Sequence, residues 1–589
     1  MDRDAIIAAS KKHDIVPGRL YKYGTAGFRM SADLLDGVTF RVGLLAALRS
    51  RKLSGQAIGV MITASHNPAA DNGVKIVDPL GDMLEQDWEV FATKLVNAAT
   101  HEELADGLLH LADAQKIDLA SPGKVIAGRD TRPSGIKLVA ALADALAATN
   151  TAYVDYKILT TPQLHYLTRA VNTEGTPKSY GEVSEAGYYK KLTEAFGRAL
   201  RGRRVSGALS VDCANGVGGP KLSELLKYHD GAKTKTGLDV KVHNDDVLRP
   251  EVLNLDCGAD FVKTRQRAPP SPKQAPGDRW CSLDGDADRL IYYWIDPESG
   301  FFMFDGDRIA TLAASFIADL ARAAGLDEQP LRIGVVQTAY ANGASTRYVE
   351  QHLQLPVVCT PTGVKHLHHA ACAFDIGVYF EANGHGTVLF SQDAVQTFKT
   401  KAPQSPAQKD ALEILAALAD LINQTVGDAV SDMLMVEVIL AHKGWSLRDW
   451  AMTYQDLPNR LVRVEVGDKD LFQTTDAERK LSHPAGCQDE IDQYVKKYTN
   501  ARSFARASGT ENACRVSLPS VVFFPSLLSI LLALFLAEVI YGIRYVFLVT
   551  CFITDQSITY QVYAEAATRS EADELANKVA VIVKKYGGA

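Results

Sequence analysis

The sequence predicts an α/β protein of several domains, and three observations carry that expectation. Short apolar runs alternate with alanine- and leucine-rich stretches over most of the chain, the pattern of buried strands interleaved with helices. With 589 residues the chain exceeds an ordinary domain, and roughly three to five units are expected. Near Leu457 the pattern changes: an alternating strand over 460–466, a polar helix and a terminal helix predict a smaller α+β unit at the C-terminal end.

Taken in order, residues 58–62, 124–127, 207–211 and 333–336 read as buried strands, and 138–148 and 309–324 as helices. No full-domain repeat is evident, but a strand–loop–helix plan recurs three times. The proline-rich stretches APPSPKQAPG (268–277) and TKAPQSPAQ (400–408) are expected to be loops. A composition 47% hydrophobic and 23% charged suffices for large buried cores. The net charge of -7 argues against nucleic acid as the partner, while leaving room for a small phosphate-bearing ligand that needs only local positive charge. Eight cysteines fall singly, with no C-x-x-C pair, which predicts free thiols in a reducing compartment. The charged N-terminus MDRDAIIAASKKHD has no long apolar core, so a secretory signal is not expected and a cytoplasmic location is.

Four motifs carry chemistry. MITASHNP (61–68) runs an apolar strand into a loop that Pro68 keeps from continuing as a strand, presenting Ser65 and His66 at a strand end. A serine hydroxyl is a poor nucleophile, but once phosphorylated it is a phosphoryl donor; alone, Ser65 is explained as well by a helix cap. DGDADR (284–289) alternates Asp284, Asp286 and Asp288 with small residues, so in an extended segment all three face one way. Such crowding of negative charge calls for a hard cation. An EF-hand also opens D-x-D-x-D, but Arg289 stands where its glycine belongs and Ile295 where its glutamate belongs.

FEANGHGT (380–387) offers Glu381 and Asn383, with Ala382 between them, as hydrogen-bonding partners for vicinal hydroxyls. RASGTENACR (506–515) offers a nest of donors at Ala507, Ser508, Gly509 and Thr510 between Arg506 and Arg515, a site suited to phosphate. Three lesser stretches add cations: Arg29 in GTAGFR, Lys75 in DNGVK, and Arg129 with Arg132 in GRDTRPS. Together these supply a serine able to carry phosphate, a carboxylate trio for a cation, a reader of sugar hydroxyls and a separate phosphate grip. Phosphoryl transfer depends mostly on positioning and charge neutralisation, and these are the parts it requires.

On TASHNP, DGDADR and RxSGTE, in that order, the chain resembles the α-D-phosphohexomutase superfamily. EANGHGT and TPTGVKHLH (360–368) mark its resemblance to the branch acting on N-acetylated hexosamine phosphates. Glucose- and mannose-directed relatives generally carry serine at the position of Asn383, and an acetamido group calls for a different partner there. The resemblance implies three related α/β domains plus a smaller C-terminal α+β domain around a central cleft: 1–181 with the phosphoserine loop, 182–299 with the metal loop, 300–455 with the sugar loop and 456–589 with the phosphate loop. It further implies a magnesium enzyme interconverting N-acetylglucosamine 6-phosphate and 1-phosphate through phospho-Ser65 and a hexose 1,6-bisphosphate, for nucleotide-sugar synthesis. In that scheme Mg²⁺ bridges the phosphoserine and Asp284, Asp286 and Asp288. Glu381 and Asn383 hold the sugar, and Arg506, Ser508, Gly509, Thr510 and Arg515 hold the non-reacting phosphate. Lys75 serves proton transfer, and His66, Arg29 and Arg129 support charge. A phosphoglucomutase or phosphomannomutase is the neighbouring expectation, against which Asn383 speaks. A non-catalytic sugar-phosphate binder or membrane-attached paralogue is the expectation of another class, against which Ser65 and the retained aspartates speak.

One stretch departs from the pattern. The family joins RxSGTE…RV almost at once to a strand of the form VYAEA, which here waits until Val562. Between them residues 516–561 are strongly apolar. As a membrane element, 521–537 gives an uncharged run of about 17 residues against the ~20 a span needs. As a soluble insertion it is not forbidden by loop closure, which costs only ~0.6 kcal/mol per doubling of length, but its apolar surface invites aggregation. As translated intron it fits better: Val516-Ser517 admits the codons GTGAGT or GTAAGT, a splice-donor sequence, and Tyr560-Gln561 admits a pyrimidine-rich codon followed by CAG. Removing 516–561 joins Arg515 to Val562 and restores RVYAEA. Transcript sequencing is expected to find a shorter species lacking these codons; only the long form in healthy cells would refute the intron.

Overall fold

The computed structural model describes residues 1–231, 236–298, 300–326, 331–466, 471–507 and 558–587. Three of its sheets share one arrangement. The first runs in the order Phe28–Ser31, Asp71–Val77, Ala57–Ile62, Lys124–Arg129, Ala152–Ile158. Its last three strands are parallel, and Asp71–Val77 returns antiparallel to Ala57–Ile62. The second places Gly300–Phe304 and Leu290–Asp296 beside Arg279–Leu283, Ala208–Asp212 and Asp239–His243, again with three parallel strands and an antiparallel return. The third has Val357–Thr360, Ile333–Thr338 and Ile376–Phe380 parallel, with Gly386–Phe390 returning against the last.

In each sheet one tight connection joins the innermost parallel strand to its antiparallel partner. Ser65 lies in the first of these turns, Asp284, Asp286 and Asp288 in the second, and Glu381 and Asn383 in the third. The sequence reads in the same terms: a buried apolar strand ends, polar and glycine residues make the turn, and a second apolar strand leaves. One structural position, used three times, therefore carries three of the four motifs.

The fourth unit is a three-stranded antiparallel sheet in the order Asn459–Val466, Ile558–Glu565, Arg502–Ala507. The helices Cys487–Val495 and Arg569–Gly587 pack with it around Val464, Tyr560, Val562, Leu575 and Val579. A continuous apolar core runs through the second and third sheets and the helices between them, and reaches Met61, Val77 and Ile126 on one face of the first. The opposite face of the first sheet has its own core around Phe40, Leu44, Ile58 and Leu142.

Where sequence and structure differ, local chemistry explains it. The stretch 400–408 is not all loop: Pro406 begins the helix Pro406–Leu421, its fixed φ suited to the first helical position, and Ser405 caps it by accepting from the Gln408 N–H. The acidic stretch 284–289 is a turn rather than an extended segment. Ala287 has a φ of +58° and donates its N–H to the Asp284 carbonyl at 3.1 Å, so the carboxylates converge by curvature and not by alternation along a strand. Among the described residues no helix is long and apolar enough to cross a membrane; residues 521–537 lie outside them.

Glu437, buried in the helix Ala429–Lys443, ties that helix to the second sheet. It accepts Arg279 Nη2 at 2.6 Å on each oxygen and the Tyr292 hydroxyl at 3.0 Å. Removing one partner of a buried pair strands the other. Glu437→Ala is expected to destabilise the protein by about 3 kcal/mol, read as a lowered denaturant midpoint, with Glu437→Gln less affected; an unchanged midpoint in the alanine variant would show the pair to be without net effect.

Candidate active site

Ser65 sits just beyond the strand Ala57–Ile62 with a φ of +50°, a left-handed conformation uncommon for a residue bearing a Cβ. Several groups hold it there. Its N–H donates to Thr63 Oγ1 (2.9 Å), and its carbonyl accepts Arg132 Nη2 (3.1 Å) and Asn254 Nδ2 (3.0 Å). The same two side chains reach the Asn67 carbonyl at 2.5 and 3.0 Å. The loop is thus clamped by Arg132 from beyond the strand Lys124–Arg129 and by Asn254 from the second unit. The Ser65 hydroxyl donates to Asp284 Oδ2 at 2.6 Å. Gly285 explains the closeness: a Cβ there would stand 2.5 Å from the Ser65 carbonyl oxygen, so only glycine lets the acidic turn pack on the serine backbone.

Asp284, Asp286 and Asp288 are buried, and one carboxylate oxygen of each lies within 4.8 Å of the others. Asp284 Oδ1 accepts the N–H groups of Asp288 (3.0 Å) and Arg289 (3.1 Å). Asp286 Oδ1 and Asp288 Oδ1 are buried without a hydrogen-bond partner. Burial, with Asp288 and Asp286 close by, pushes the Asp284 carboxyl well above the usual range. Burial raises Asp288 too, but His385, Lys75 and Arg289 outweigh it and hold this carboxyl below the ordinary value. Hard oxygen donors, converging and partly unpaired, fit a magnesium ion.

Cations close the site. Lys75 Nζ is 3.9 Å from Asp288 Oδ2, and Arg289 Nε is 3.8 Å from Asp284 Oδ2. Arg29 faces Asp286 and Asp288 across the cluster, its pKa lowered by burial and by Arg289. The His66 Nδ1 is 3.4 Å from Ser65 Oγ; burial, then Arg289 and Arg29, push this imidazole well below its ordinary pKa, so it is neutral near pH 7. The pair His66 and Asp284 thus flanks one hydroxyl with an uncharged ring and a carboxyl.

The sugar turn leans on the metal turn. Gly384 has a φ of +88°, its carbonyl accepts the Leu290 N–H at 3.1 Å, and a Cβ there would meet the Leu290 carbonyl oxygen at 2.1 Å. His385 Nδ1 donates to the Asp288 carbonyl at 2.8 Å and stands 3.4 Å from Asp288 Oδ1. Burial lowers its pKa, but the negative charge of Asp288 close by prevails and raises it. Asn383 Oδ1 accepts the His385 N–H at 3.0 Å and Nδ2 is 3.4 Å from Glu381 Oε2, so Asn383 shapes the turn as well as offering its amide; Ala382 lies between them in the same turn.

In the fourth unit Arg506, on the strand Arg502–Ala507, donates to Glu478 Oε2 at 2.9 Å, and that oxygen also accepts the Thr362 N–H at 2.8 Å. Ala507 ends this strand opposite Tyr560. Ser508, Gly509, Thr510 and Arg515 lie outside the described residues.

The structure therefore brings Ser65, His66, Lys75, Arg29, the three aspartates and the turn 381–385 together. Arg129 pairs with Asp155 at 3.7 Å, and it is Arg132 of the same motif that grips the serine loop.

The family comparisons agree with this geometry. A model described as phosphoacetylglucosamine mutase AMG1, domain III, matches residues 305–445, and its domain II counterpart matches 182–291. The α/β/α domain I of phosphoglucomutase/phosphomannomutase matches 44–103 and 85–177. The phosphoacetylglucosamine mutase of Sus scrofa is 48% identical over 521 residues, 88% of this chain and 93% of that relative. This chain belongs to the phosphoacetylglucosamine mutase family. Within the family, the N-acetylphosphoglucosamine mutase of Aspergillus fumigatus in complex with GlcNAc-6P and magnesium matches with a TM-score of 0.88 at 55% identity, covering 99% of each chain. A serine-to-alanine variant of that enzyme with glucose 1,6-bisphosphate gives the same score, identity and coverage.

Sequence reasoning missed Arg132 as the loop clamp, and also Asn254, His385, Thr63 and Thr161. His385 stood inside a motif already singled out; Asn254 and Thr161 are single polar residues whose partners lie far off in the chain, and no local pattern marks them. Asn254→Ala removes the donor shared by the carbonyls of Ser65 and Asn67. Mutase turnover in this variant is expected to fall about 10²-fold, the effect of a small misplacement of the reacting group, with thermal unfolding little changed; wild-type turnover would show that Arg132 suffices.

Proposed function

We propose that this chain interconverts N-acetylglucosamine 6-phosphate and N-acetylglucosamine 1-phosphate, supplying the 1-phosphate to nucleotide-sugar synthesis in the cytoplasm. The observation that carries the reading is the Ser65 hydroxyl, held 2.6 Å from Asp284 within a buried trio of aspartates. Phospho-Ser65 donates to the free hydroxyl of the bound monophosphate: the bond from Ser65 Oγ to phosphorus breaks, the sugar oxygen takes the phosphoryl group, and the hydroxyl proton leaves to a base. The product of that half-reaction is the sugar 1,6-bisphosphate. It turns over in the site and returns its other phosphoryl group to Ser65 by the reverse chemistry.

Each residue has a task in this scheme. Lys75, beside Asp288, is the group for proton transfer. Neutral His66 lies at hydrogen-bonding reach of Oγ. Arg29 and Arg289 oppose the charge spread over the transferring phosphoryl oxygens. Asp284, Asp286 and Asp288 would hold Mg²⁺, which when bound neutralises phosphoryl charge. Glu381, oriented by its own turn, receives the sugar hydroxyls, and the amide of Asn383 lies where an acetamido group is distinguished from a hydroxyl. Arg506, with Ser508, Gly509 and Thr510 that follow it in the chain, grips the phosphate that does not react.

Residues 516–561 are, in this reading, no part of the competent enzyme. Support comes from the strand Ile558–Glu565. Val562 pairs with Ala505 and Val462, and Gln561 stands opposite Arg506 and Arg463. Joining Arg515 to Val562 would put Arg515 at the place of Gln561, directly beside Arg506, and so set two guanidinium groups at one phosphate.

The test measures kcat/KM for the 6-phosphates of N-acetylglucosamine and glucose, with Mg²⁺ and a trace of hexose 1,6-bisphosphate, in this chain and in one lacking 516–561. Preference for the acetylated sugar, loss of turnover in Ser65→Ala, and a KM about ten-fold or more lower in the shortened chain, as a charge-assisted phosphate contact predicts, are expected. Turnover surviving in Ser65→Ala would refute the phosphoserine route. Equal KM values in the two chains would refute the exclusion of 516–561.

A further inference from the structure

Asp286 is oriented from another part of the molecule. Its Oδ2 accepts the Thr161 hydroxyl at 2.6 Å, and its carbonyl accepts the Thr161 N–H at 3.2 Å. Thr63 Oγ1 is also 3.2 Å from Oδ2. A threonine hydroxyl has one proton to give. That of Thr63 has a nearer acceptor in Asp130 Oδ2, at 2.7 Å, while its oxygen receives the Ser65 N–H. Thr161 is therefore the committed hydroxyl donor to Asp286, while the proton of Thr63 goes to Asp130. With Oδ2 so occupied, Oδ1 is left buried and without a hydrogen-bond partner.

Thr161 has little freedom of its own. It is the first residue of the helix Thr161–Thr173, with Pro162 next and Thr160 as N-cap in a reciprocal capping box with Gln163. It is fully buried. This box fixes the first turn, and the helix N-terminus favours the nearby carboxylate. Around a carboxylate able to rotate about its Cβ–Cγ bond, the hydroxyl decides which oxygen points where.

We propose that Thr161 is a positioning residue for the metal: it fixes the Asp286 carboxylate so that Oδ1 is preset for the cation, and it ties the domain that bears Ser65 to the turn that bears the metal ligands. The proposal rests on the reading of Asp286 as a magnesium ligand. Partners of this kind usually contribute ten- to a hundred-fold to metal affinity. Their loss also widens the choice of rotamers, so the ligand spends time turned toward Arg29 rather than toward its metal.

Binding of Mn²⁺, followed by the electron paramagnetic resonance of the free ion, tests this in the dephosphorylated full chain without any turnover. Thr161→Val, which keeps the shape and removes the hydroxyl, is expected to weaken binding about ten-fold or more, and Thr161→Ser to restore it. In mutase assays Thr161→Val should raise the Mg²⁺ concentration for half-maximal rate by the same factor, leaving the KM for sugar phosphate at saturating Mg²⁺ near wild type. Wild-type Mn²⁺ affinity in Thr161→Val, with or without lowered stability, would overturn the proposal. Asp286→Asn separates the two levels: if it too binds Mn²⁺ as wild type, Asp286 is no ligand and the reading beneath the proposal falls with it.

Discussion

Three carboxylates buried within a few ångströms of one another impose the constraint to which the rest of this molecule answers. Uncompensated, that charge would be expelled or neutralised by protons, and the raised pKa of Asp284 records the tension. The fold responds with Lys75, Arg29, Arg289 and His385, drawn from four separate stretches of the chain. Each of them lies beside one or two of the acids rather than all three. What stays unpartnered is Asp286 Oδ1 and Asp288 Oδ1, oxygens of the kind a divalent cation takes.

Closeness of approach is the second condition. Gly285 against the Ser65 carbonyl and Gly384 against Leu290 bring three turns into main-chain contact. The nucleophile, the metal ligands and the sugar turn consequently behave as one packed unit, with Arg132 and Asn254 as its rivets. The fourth unit is joined differently. Arg506 reaches toward the third domain through Glu478, which also accepts the Thr362 N–H, and Arg502 donates to the Ala339 carbonyl at 2.9 Å and to Glu565 at 2.6 Å. These polar links surround a small apolar cluster in which Phe504 and Tyr563 pack on Ala339 and Tyr340, and together they connect the phosphate grip to the rest.

Much of this was legible in the sequence because the chemistry is concentrated in short motifs. Strands such as Ala57–Ile62 and Ile333–Thr338 are buried on both faces and read as apolar runs, and Ser65, the aspartates and Glu381 each follow one. The expectation for 284–289 reached the right convergence by the wrong geometry, since an alternating pattern describes a strand and a turn equally well until φ at Ala287 is known. Arg129 and Arg132 could not be separated by eye: one ends the strand Lys124–Arg129 and the other lies three residues beyond it, and it is the pairing of Arg129 with Asp155 and of Arg132 with the serine loop that tells them apart. Thr161 was invisible for a different reason. Its local sequence, Thr-Thr-Pro-Gln, speaks of a helix start, and nothing near it in the chain mentions Asp286.

The recurrence of one reactive turn has a consequence for how the three large domains relate. In the second and third sheets the chain lays down the middle and outer parallel strands first and the inner strand with its antiparallel partner last; in the first sheet it does the reverse. For the four strands that all three sheets share the spatial plan is the same, and the threading is a cyclic permutation of it. Residue-by-residue alignment of the first domain on the others therefore runs out of phase by a hairpin, and the kinship is hidden from any comparison that respects chain order. What the three domains hold in common is a place in space, reached by two different itineraries of the backbone.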